Sequence, residues 1–366
     1  MTTATKKPKS RTTLDVRAFK QALSTVGRAV PARGPKPIYT NVLLCDGTLT
    51  GSDGEVRITT PLAYAGEPLL LPFGRLSAIL GSSPADGEIV LERAGSSCTV
   101  RIGRGTWTLP TEDAAEYPSW AADGLKSVCR LPADQFCRAV RGVVYATDNE
   151  SSRYALGAVL VDFKGGAVTF VATDGRRLSA YEVECDQALD DTQTLIPSGA
   201  IRTMAAVAGH AEAVQLEAND SECVCTVDDT VVTARLTAGR FPKWADVFPE
   251  TDSEPNILDR SELMSATAAA AICTSDQSRG VTFTFADDAV ALTSRSSENG
   301  EAFSSCSVLQ RGTPGRAKID PGFLLEFGRS CDEGEPLEVT ITGKESAVIL
   351  RCGDLRGVVM PMSEEG

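Results

Sequence analysis

The residues that could perform acid–base chemistry are scattered in this 366-residue chain. Asp174 and Glu182 form one possible acidic pair, and two carboxylates at a suitable separation can hydrolyse a glycoside. Asp190 and Asp191 form another, and nothing in the sequence selects either pair. The single histidine, His210, lies in AVAGHAEAV at an expected helix end. No glycine-rich phosphate loop or nucleophile elbow occurs, so the chain shows no enzyme signature and hydrolysis is the weaker hypothesis.

Eleven cysteines offer metal or redox chemistry in principle. No C-x-x-C pair occurs, and the closest two, Cys223 and Cys225 in ECVCTV, would share one face of a strand. The chain is long, the cysteine count is odd, and no secretory signal pattern is present. We therefore expect reduced, small apolar residues of a cytoplasmic protein, with no disulfide, no metal and no cofactor.

The overall charge limits the kinds of partner that the protein is expected to bind. The net charge is −13 and the isoelectric point about 4.8, which argues against a protein that holds nucleic acid mainly by bulk positive charge. No apolar run approaches the roughly 20 residues of a membrane span, so no membrane partner is expected. The basic, Ser/Thr-rich residues 1–13 are predicted to be a disordered tail.

The elements repeat along the chain at a spacing of about 120 residues. One set of segments opens with Leu and continues as an amphipathic helix, beginning at Leu14, Leu131 and Leu258. A second set has a proline and then a short helix, beginning at Leu71, Ile196 and Ile319. Strand-like runs around turn residues, such as Asp53-Gly54 and Asp174-Gly175, lie between them. The sequence therefore predicts an α+β fold of three similar domains, each with two helices and antiparallel sheets, at 14–124, 125–252 and 253–366.

The long helices of the first two repeats should carry a buried stripe on one face and basic residues on the other, whereas the helix of the third repeat, SELMSATAAAAI, lacks basic residues. Val16, Phe19 and Leu23 fall at helical spacing in the first helix. Phe136 and Val140 do so in the second repeat. Basic residues on the opposite faces of an acidic chain indicate one segregated basic surface, suited to phosphates without base readout.

Three short motifs carry a family resemblance. ATDGRRL (172–178), AGRFPKWADVFP (238–249) and VVMPM (358–362) make the chain resemble the beta subunit of bacterial DNA polymerase III, the sliding clamp. PIYTNVLL (37–44), SSRYALGAVL (151–160) and WTLPTEDAAEYP (107–118) extend the similarity over nearly the whole chain. The resemblance implies a head-to-tail homodimeric ring of six domains around duplex DNA, with helices inward. Topology then holds the DNA, and strong phosphate affinity is unnecessary.

The resemblance also implies a partner site between the second and third domains. There the polymerase subunit, the clamp loader and repair proteins would insert a short peptide with apolar anchors. The matching positions are Leu156, Thr173, Gly175, Arg176, Arg177, Leu178, Pro242, Val247, Val358, Met360, Pro361 and Met362. Two methionines give an adaptable lining, and Arg177 is expected to hold a peptide carbonyl or carboxylate. Truncating Met362 or Leu178 to alanine should weaken peptide binding without unfolding the domain.

Three positions depart from the family pattern. Asp246 stands where a basic residue is usual, Arg176 stands at a histidine-like position, and the tail Ser363–Gly366 is acidic. These departures leave partner preference open. They also leave open a second copy of the clamp, of the plasmid, phage or drug-resistance type.

The remaining carried-over residues concern the ring. The resemblance implies a dimer interface of Trp107 and Leu109 against Ile272 and Cys273 of the other chain. The expected DNA-facing residues combine family positions with the helix faces: Arg33, Arg75, Arg138, Arg141, Tyr154, Arg202 and Arg240.

The leading hypothesis is a non-enzymatic processivity factor, cytoplasmic and associated with the nucleoid. A repeat-built scaffold that binds proteins without encircling DNA is the alternative.

Overall fold

Six α-helices form where the sequence repeats. The computed structural model describes residues 11–34, 36–120, 123–148, 155–185, 191–286, 288–343 and 346–363. Its helices are α1 (Val16–Val26), α2 (Phe73–Gly81), α3 (Ala133–Val143), α4 (Ser198–Ala208), α5 (Arg260–Ala271) and α6 (Pro321–Ser330). Each begins within two residues of the end of a strand, as both repeated motifs predicted. His210 lies two residues beyond the end of α4 and is exposed, as expected.

Helix α1 shows why these segments are helical. Asp15 caps the first turn, because its carboxylate accepts a hydrogen bond from the Ala18 backbone N–H at 2.7 Å. The stripe of Val16, Phe19 and Leu23 is buried, with at most 3% of each side chain exposed. Burial of that stripe fixes the helix against its sheet. The same holds for the predicted stripe of α3, so both predicted stripes are confirmed.

Twenty-four antiparallel strands make up the sheets of the described chain. The first half are β1 (Arg11–Asp15), β2 (Asn41–Cys45), β3 (Thr48–Ser52), β4 (Val56–Pro61), β5 (Leu69–Pro72), β6 (Glu88–Ala94), β7 (Ser97–Ile102), β8 (Gly105–Pro110), β9 (Lys126–Pro132), β10 (Ala158–Lys164), β11 (Ala167–Thr173) and β12 (Arg177–Glu184). The second half are β13 (Thr192–Pro197), β14 (Ala213–Ala218), β15 (Glu222–Val227), β16 (Thr230–Arg235), β17 (Asn256–Leu258), β18 (Val281–Ala286), β19 (Ala289–Ser296), β20 (Gly300–Gln310), β21 (Gly315–Ile319), β22 (Leu337–Ile341), β23 (Val348–Cys352) and β24 (Leu355–Val359).

The strands form three sheets in two compact units. One unit, Met1–Asp134 with Thr203–Leu236, holds a four-stranded sheet, β1-β6-β7-β8, and an eight-stranded sheet, β5-β2-β3-β4-β16-β15-β14-β9. The other unit, Gln135–Arg202 with Thr237–Gly366, holds a twelve-stranded sheet, β13-β10-β11-β12-β24-β23-β22-β17-β20-β19-β18-β21. The fold is therefore α+β with antiparallel sheets, as predicted.

Two of these sheets continue across the expected domain joints. Strand β4 of the first expected domain pairs with β16 of the second, and β12 of the second pairs with β24 of the third. Such pairing joins neighbouring thirds through backbone hydrogen bonds. The two compact units do not test whether the three expected domains share one fold, so the three-domain boundaries stay a prediction.

The amino-terminal end corrects one expectation. Residues 11–13 were assigned to a disordered tail, but they form the first part of β1, which pairs with β6 from Arg11↔Glu92 to Asp15↔Glu88. The alternation of Thr12 and Leu14 inward was too short a signal to separate from the polar residues before it. Residues 1–10 lie outside the described chain. Within the described ranges, the structure shows no helix with the length and apolar character needed to cross a bilayer.

Candidate functional site

The candidate site lies where β12 meets β24. The two strands pair antiparallel, with Leu178 opposite Val358. Both side chains are buried in a cluster with Phe241. Gly357 of β24 lets helix α6 pack against the strand, because a Cβ there would lie 2.7 Å from the Phe327 ring. The three sequence motifs therefore meet in one buried apolar cluster, here called the apolar floor, to which they contribute Leu178, Phe241 and Val358.

The ATDGRRL turn is held by its own side chains. The Asp174 carboxylate accepts hydrogen bonds from the Arg176 and Arg177 backbone N–H groups at 2.9 and 3.0 Å. The Thr173 hydroxyl donates to the Arg177 carbonyl at 2.6 Å and accepts from the Gly175 N–H at 3.1 Å. Gly175 has a φ of +85°, which a residue with a side chain rarely adopts. The hairpin predicted from Asp174-Gly175 is confirmed.

Arg177 has a different environment from the one expected. Its guanidinium donates to the Asp174 carboxylate at 3.0 Å and to the Tyr145 carbonyl at 2.8 Å, and it forms an ion pair with Glu326 of α6. It also stacks over the Tyr145 and Phe323 rings, 5.0 and 4.5 Å from their centres. Only 11% of the side chain is exposed. The Arg177 guanidinium therefore holds the turn in place.

Tyr145 supports Arg177 with its backbone carbonyl and its aromatic ring. Burial raises the pKa of its hydroxyl, and the neighbouring Ser179 side chain and the Arg177 charge oppose that rise. Ser179 in turn donates to the Gly142 carbonyl at 2.7 Å, which ties β12 to α3. The neutral phenol is therefore retained under Arg177.

The carboxyl-terminal motif is fixed to the same turn by its backbone. The Met360 N–H donates to the Arg176 carbonyl at 2.8 Å, and the Met362 N–H donates to the Lys318 carbonyl at 2.7 Å. Met360 keeps 45% of its side chain exposed. Arg176 is also exposed, and its guanidinium lies 5.3 Å from the centre of the Phe323 ring. An accessible methionine and an accessible cation thus border the buried floor.

The RFPKWADVF segment covers another side of the floor. The Trp244 indole donates to the Asp162 carboxylate at 2.9 Å, and its ring meets Phe248 edge-on at 6.4 Å. Both aromatic side chains pack against the buried cluster. Val247, between them, is 37% exposed, and Asp246 is also exposed. The departure at Asp246 therefore places a carboxylate beside an accessible apolar residue.

The predicted cleft residues divide by exposure. Four are buried: Leu156, Thr173, Leu178 and Val358. Four are exposed: Gly175, Arg176, Val247 and Met360. Four are half-buried: Arg177, Pro242, Pro361 and Met362. One earlier expectation does not hold, since Leu178 is 3% exposed in the core cluster and its truncation should destabilise the fold.

Several residues that build the site were missed. Tyr145, Phe323 and Glu326 hold Arg177; all three lie in the repeated helix segments, but none lies in a motif that pointed to the partner site. The sequence did not mark them as site residues, because residues of these types are common in or beside any helix. The aromatic pair Trp244 and Phe248 was visible inside AGRFPKWADVFP and could have been added from their spacing.

The expected interface residues lie on accessible elements. Strand β8 is an edge strand that pairs only with β7 among the described strands, and it carries the half-buried Trp107 and the buried Leu109. Ile272, just after α5, is 76% exposed, and Cys273 beside it is half-buried. An exposed isoleucine and an unpaired edge are features of surfaces that a partner covers.

The expected DNA-facing residues are all on the surface where the structure describes them. Arg33, Arg75 and Arg240 are exposed. Arg202 is exposed but donates to the Val144 carbonyl at 3.0 Å. Tyr154 lies outside the described residues. Arg138 and Arg141, on one face of α3, both pair with Asp332.

The acidic pairs considered for hydrolysis have other partners. Asp174 holds the turn and Arg177, as described above. Glu182 lies 3.5 Å from the Arg356 guanidinium on the neighbouring strand. Asp190 lies outside the described residues, and Asp191 directly precedes β13.

Comparison with known proteins shows what the chain is similar to. The model for the DNA polymerase III beta subunit, central domain, matches residues 130–243. A beta sliding clamp from Escherichia coli is 26% identical over 352 residues, covering 93% of this chain and 96% of that protein. The chain is thus similar to DNA polymerase III beta subunits along nearly its whole length. A second relative, the beta sliding clamp of Synechococcus elongatus, is 28% identical over 274 residues, 71% of this chain and 73% of its own.

Solved structures agree on the fold. A sliding clamp from Pseudomonas aeruginosa superposes with a TM-score of 0.90 at 24% identity, covering 97% of this chain and 100% of that one. A sliding clamp from Bacillus subtilis gives 0.89 at 18% identity, with the same coverage. The clamp fold is thus retained although roughly four in five residues differ, which is the expected result when core pattern rather than identity specifies a fold.

Proposed function

We propose that this chain is a processivity clamp of bacterial DNA replication. Two copies, paired head to tail, enclose duplex DNA and tether the replicative polymerase to it. The observation that carries this function is the similarity to a beta sliding clamp over 93% of the chain and 96% of that relative, on a fold that covers the whole of a solved clamp. The protein is an accessory subunit, with no catalytic residue of its own. The three domains proposed for each chain are 14–124, 125–252 and 253–366.

The proposed ring explains the charge of the protein. A chain of net charge −13 would bind DNA poorly by surface attraction, whereas an enclosed duplex needs no strong attraction to stay. Arg33, Arg75 and Arg240 are exposed cations available to face the phosphates, and α3 and α4 supply Arg138, Arg141 and Arg202. Sequence-independent contacts of this kind position a duplex without reading its bases.

The proposed partner site is the apolar floor at the β12–β24 junction. Leu178, Val358 and Phe241 form the base, while Val247 and Met360 offer accessible apolar surface at its edges. A short peptide with apolar anchors fits such a surface, and methionine adapts to several different partners. The clamp loader, repair proteins and the polymerase subunit would therefore compete for it. The proposed cellular location is the cytoplasm, at the nucleoid.

The partner site is tested with a fluorescent peptide from the carboxyl terminus of a bacterial replicative polymerase. Met360→Ala and Val247→Ala should each weaken binding by about fivefold, the equivalent of roughly 1 kcal/mol. Leu309→Ala is the matched control, because Leu309 is 65% exposed on β20 and lies outside the proposed site. If all three variants bind the peptide like the wild type, the site is wrongly assigned.

The function itself is tested by polymerase processivity. Product length on a primed circular template should rise when this protein and a clamp loader are added to a bacterial replicative polymerase. Met360→Ala should reduce the gain, and Leu309→Ala should not. Product length that is independent of the protein would contradict the proposal.

The proposed interface is Trp107 and Leu109 of one chain against Ile272 and Cys273 of the other. Ile272→Glu would bury a charge there, which is costly without a partner. We expect its native mass to fall from that of two chains to one, while Leu309→Glu stays dimeric. A wild-type protein with the mass of a single chain would refute the proposed pairing.

A further inference from the structure

Two arginines proposed to face DNA share one acidic partner. Asp332 lies 2.5 Å from the Arg141 guanidinium and 3.7 Å from that of Arg138, with one carboxylate oxygen directed to each. The arginines are three residues apart on α3, so they lie on one helix face. About half of each arginine side chain remains exposed. The pair therefore borders solvent, where a phosphate could reach it.

The position of Asp332 is built into the fold. It follows the end of α6, where the Arg260 guanidinium of α5 donates to the Gly328 and Cys331 carbonyls at 3.0 and 3.3 Å. These two hydrogen bonds fix the segment that carries Asp332. Asp332 thus directly follows a segment that is anchored to α5, and its carboxylate reaches the α3 arginines.

Helix α3 is held equally closely to the same region. A Cβ on Gly142 would lie 3.0 Å from a Leu355 methyl group and 3.2 Å from the Tyr181 ring, so any larger residue would push these side chains aside. Burial raises the pKa of the Tyr181 hydroxyl, with Asp354 and Asp332 adding to the rise and the two arginines opposing it. All four charged groups therefore act electrostatically on one hydroxyl.

We propose that Asp332 is a positioning residue that holds Arg138 and Arg141 back from DNA phosphates. The inference rests on the proposed function, since it assigns those arginines to the DNA-facing surface. Each arginine that neutralises a phosphate adds attraction that depends on salt. A clamp that must move along DNA works best with few such contacts. Asp332 competes with phosphate for both guanidinium groups and so keeps the enclosed duplex loosely held.

The test is Asp332→Asn, which removes the carboxylate charge and keeps the side-chain size. Affinity for a linear duplex is measured by fluorescence anisotropy at several salt concentrations. Each freed arginine should steepen the salt dependence by about 0.9. The affinity advantage of the variant over wild type should then shrink by roughly 3- to 12-fold between 50 and 200 mM salt.

Asp354→Asn is the matched control. It removes a carboxylate from the same neighbourhood, and Asp354 pairs with neither arginine in the described part of the chain. A thermal melt of each variant checks folding. In an Arg138→Gln, Arg141→Gln background, Asp332→Asn should have no effect on DNA affinity. The Arg138→Gln, Arg141→Gln variant alone keeps Asp332, and it should bind DNA like the wild type because both arginines are already withheld, so it tests the inference even if Asp332→Asn folds poorly.

The outcomes separate the inference from the function on which it rests. A salt dependence for Asp332→Asn equal to that of Asp354→Asn overturns the role of Asp332. An increase that persists without the two arginines overturns it as well. Failure of the wild type to raise polymerase processivity would instead refute the clamp function, whatever the duplex titration shows.

Discussion

Replacing Arg177 by methionine should separate two roles for this residue. Methionine keeps an apolar stem between the Tyr145 and Phe323 rings but removes the guanidinium. The ion pair with Asp174 is the larger loss, since those two side chains are only 11% and 10% exposed. Breaking a buried pair by removing one partner costs roughly 3–5 kcal/mol. Because Asp174 keeps two backbone N–H donors, we expect the lower end, about 3 kcal/mol.

The ion pair with Glu326 should add little, because that carboxylate is 43% exposed. Exposed pairs contribute at most about 1 kcal/mol. The loss is measured by urea unfolding in a background where Trp107 and Trp120 are phenylalanine, which leaves Trp244 beside the site as the reporter. A double-mutant cycle with Asp174→Asn should give a coupling energy above about 1 kcal/mol.

The alternative role gives the opposite pattern. If Arg177 instead holds a bound peptide, as the sequence suggested, Arg177→Met would lose peptide affinity while its free energy of unfolding changed by less than about 0.5 kcal/mol. That result would refute the reasoning that the guanidinium organises the turn.

Three further predictions concern stability. Leu178→Ala should cost about 2–5 kcal/mol in urea unfolding, whereas Met360→Ala should cost less than about 1 kcal/mol; equal losses would show that the buried floor is misplaced. Gly175→Ala should cost about 1 kcal/mol from its backbone conformation alone, since the space around its Cα is open, and an unchanged unfolding midpoint would contradict this. Burial raises the pKa of Tyr64 to about 12, so the folded state favours the neutral phenol. Tyr64 should stabilise the fold fully below about pH 10 and progressively less towards pH 12, and urea unfolding of Tyr64→Phe should show a smaller loss of stability over that range than the wild type; an equal loss would contradict this.

The repeated pattern made much of the fold predictable. Apolar residues at helical spacing, such as Phe19 and Phe136, mark the core stripes, and turn dipeptides mark the hairpins. The period of the repeats then gave the number and order of the helices. What periodicity could not give is which strands pair across thirds of the chain. The β4–β16 and β12–β24 pairs depend on edge complementarity between segments far apart in sequence.

The candidate site was predictable in position but not in the role of each residue. Motifs identified the three segments that meet at the β12–β24 junction. They could not show that Leu178 is core and Met360 is surface, because both are apolar. The role of Arg177 depends on Glu326 and Tyr145, which lie far away in sequence, so only a folded chain shows that its donors are engaged.

Retention on DNA of different topology tests the central claim most directly. The protein is loaded onto a nicked circular plasmid by a bacterial clamp loader and then separated from free protein by gel filtration. We predict that it stays with the circle at a salt concentration that abolishes phosphate contacts, and that cutting the plasmid once releases it. Equal retention on circular and linear DNA, or loss from both at high salt, would show that the chain binds DNA without enclosing it.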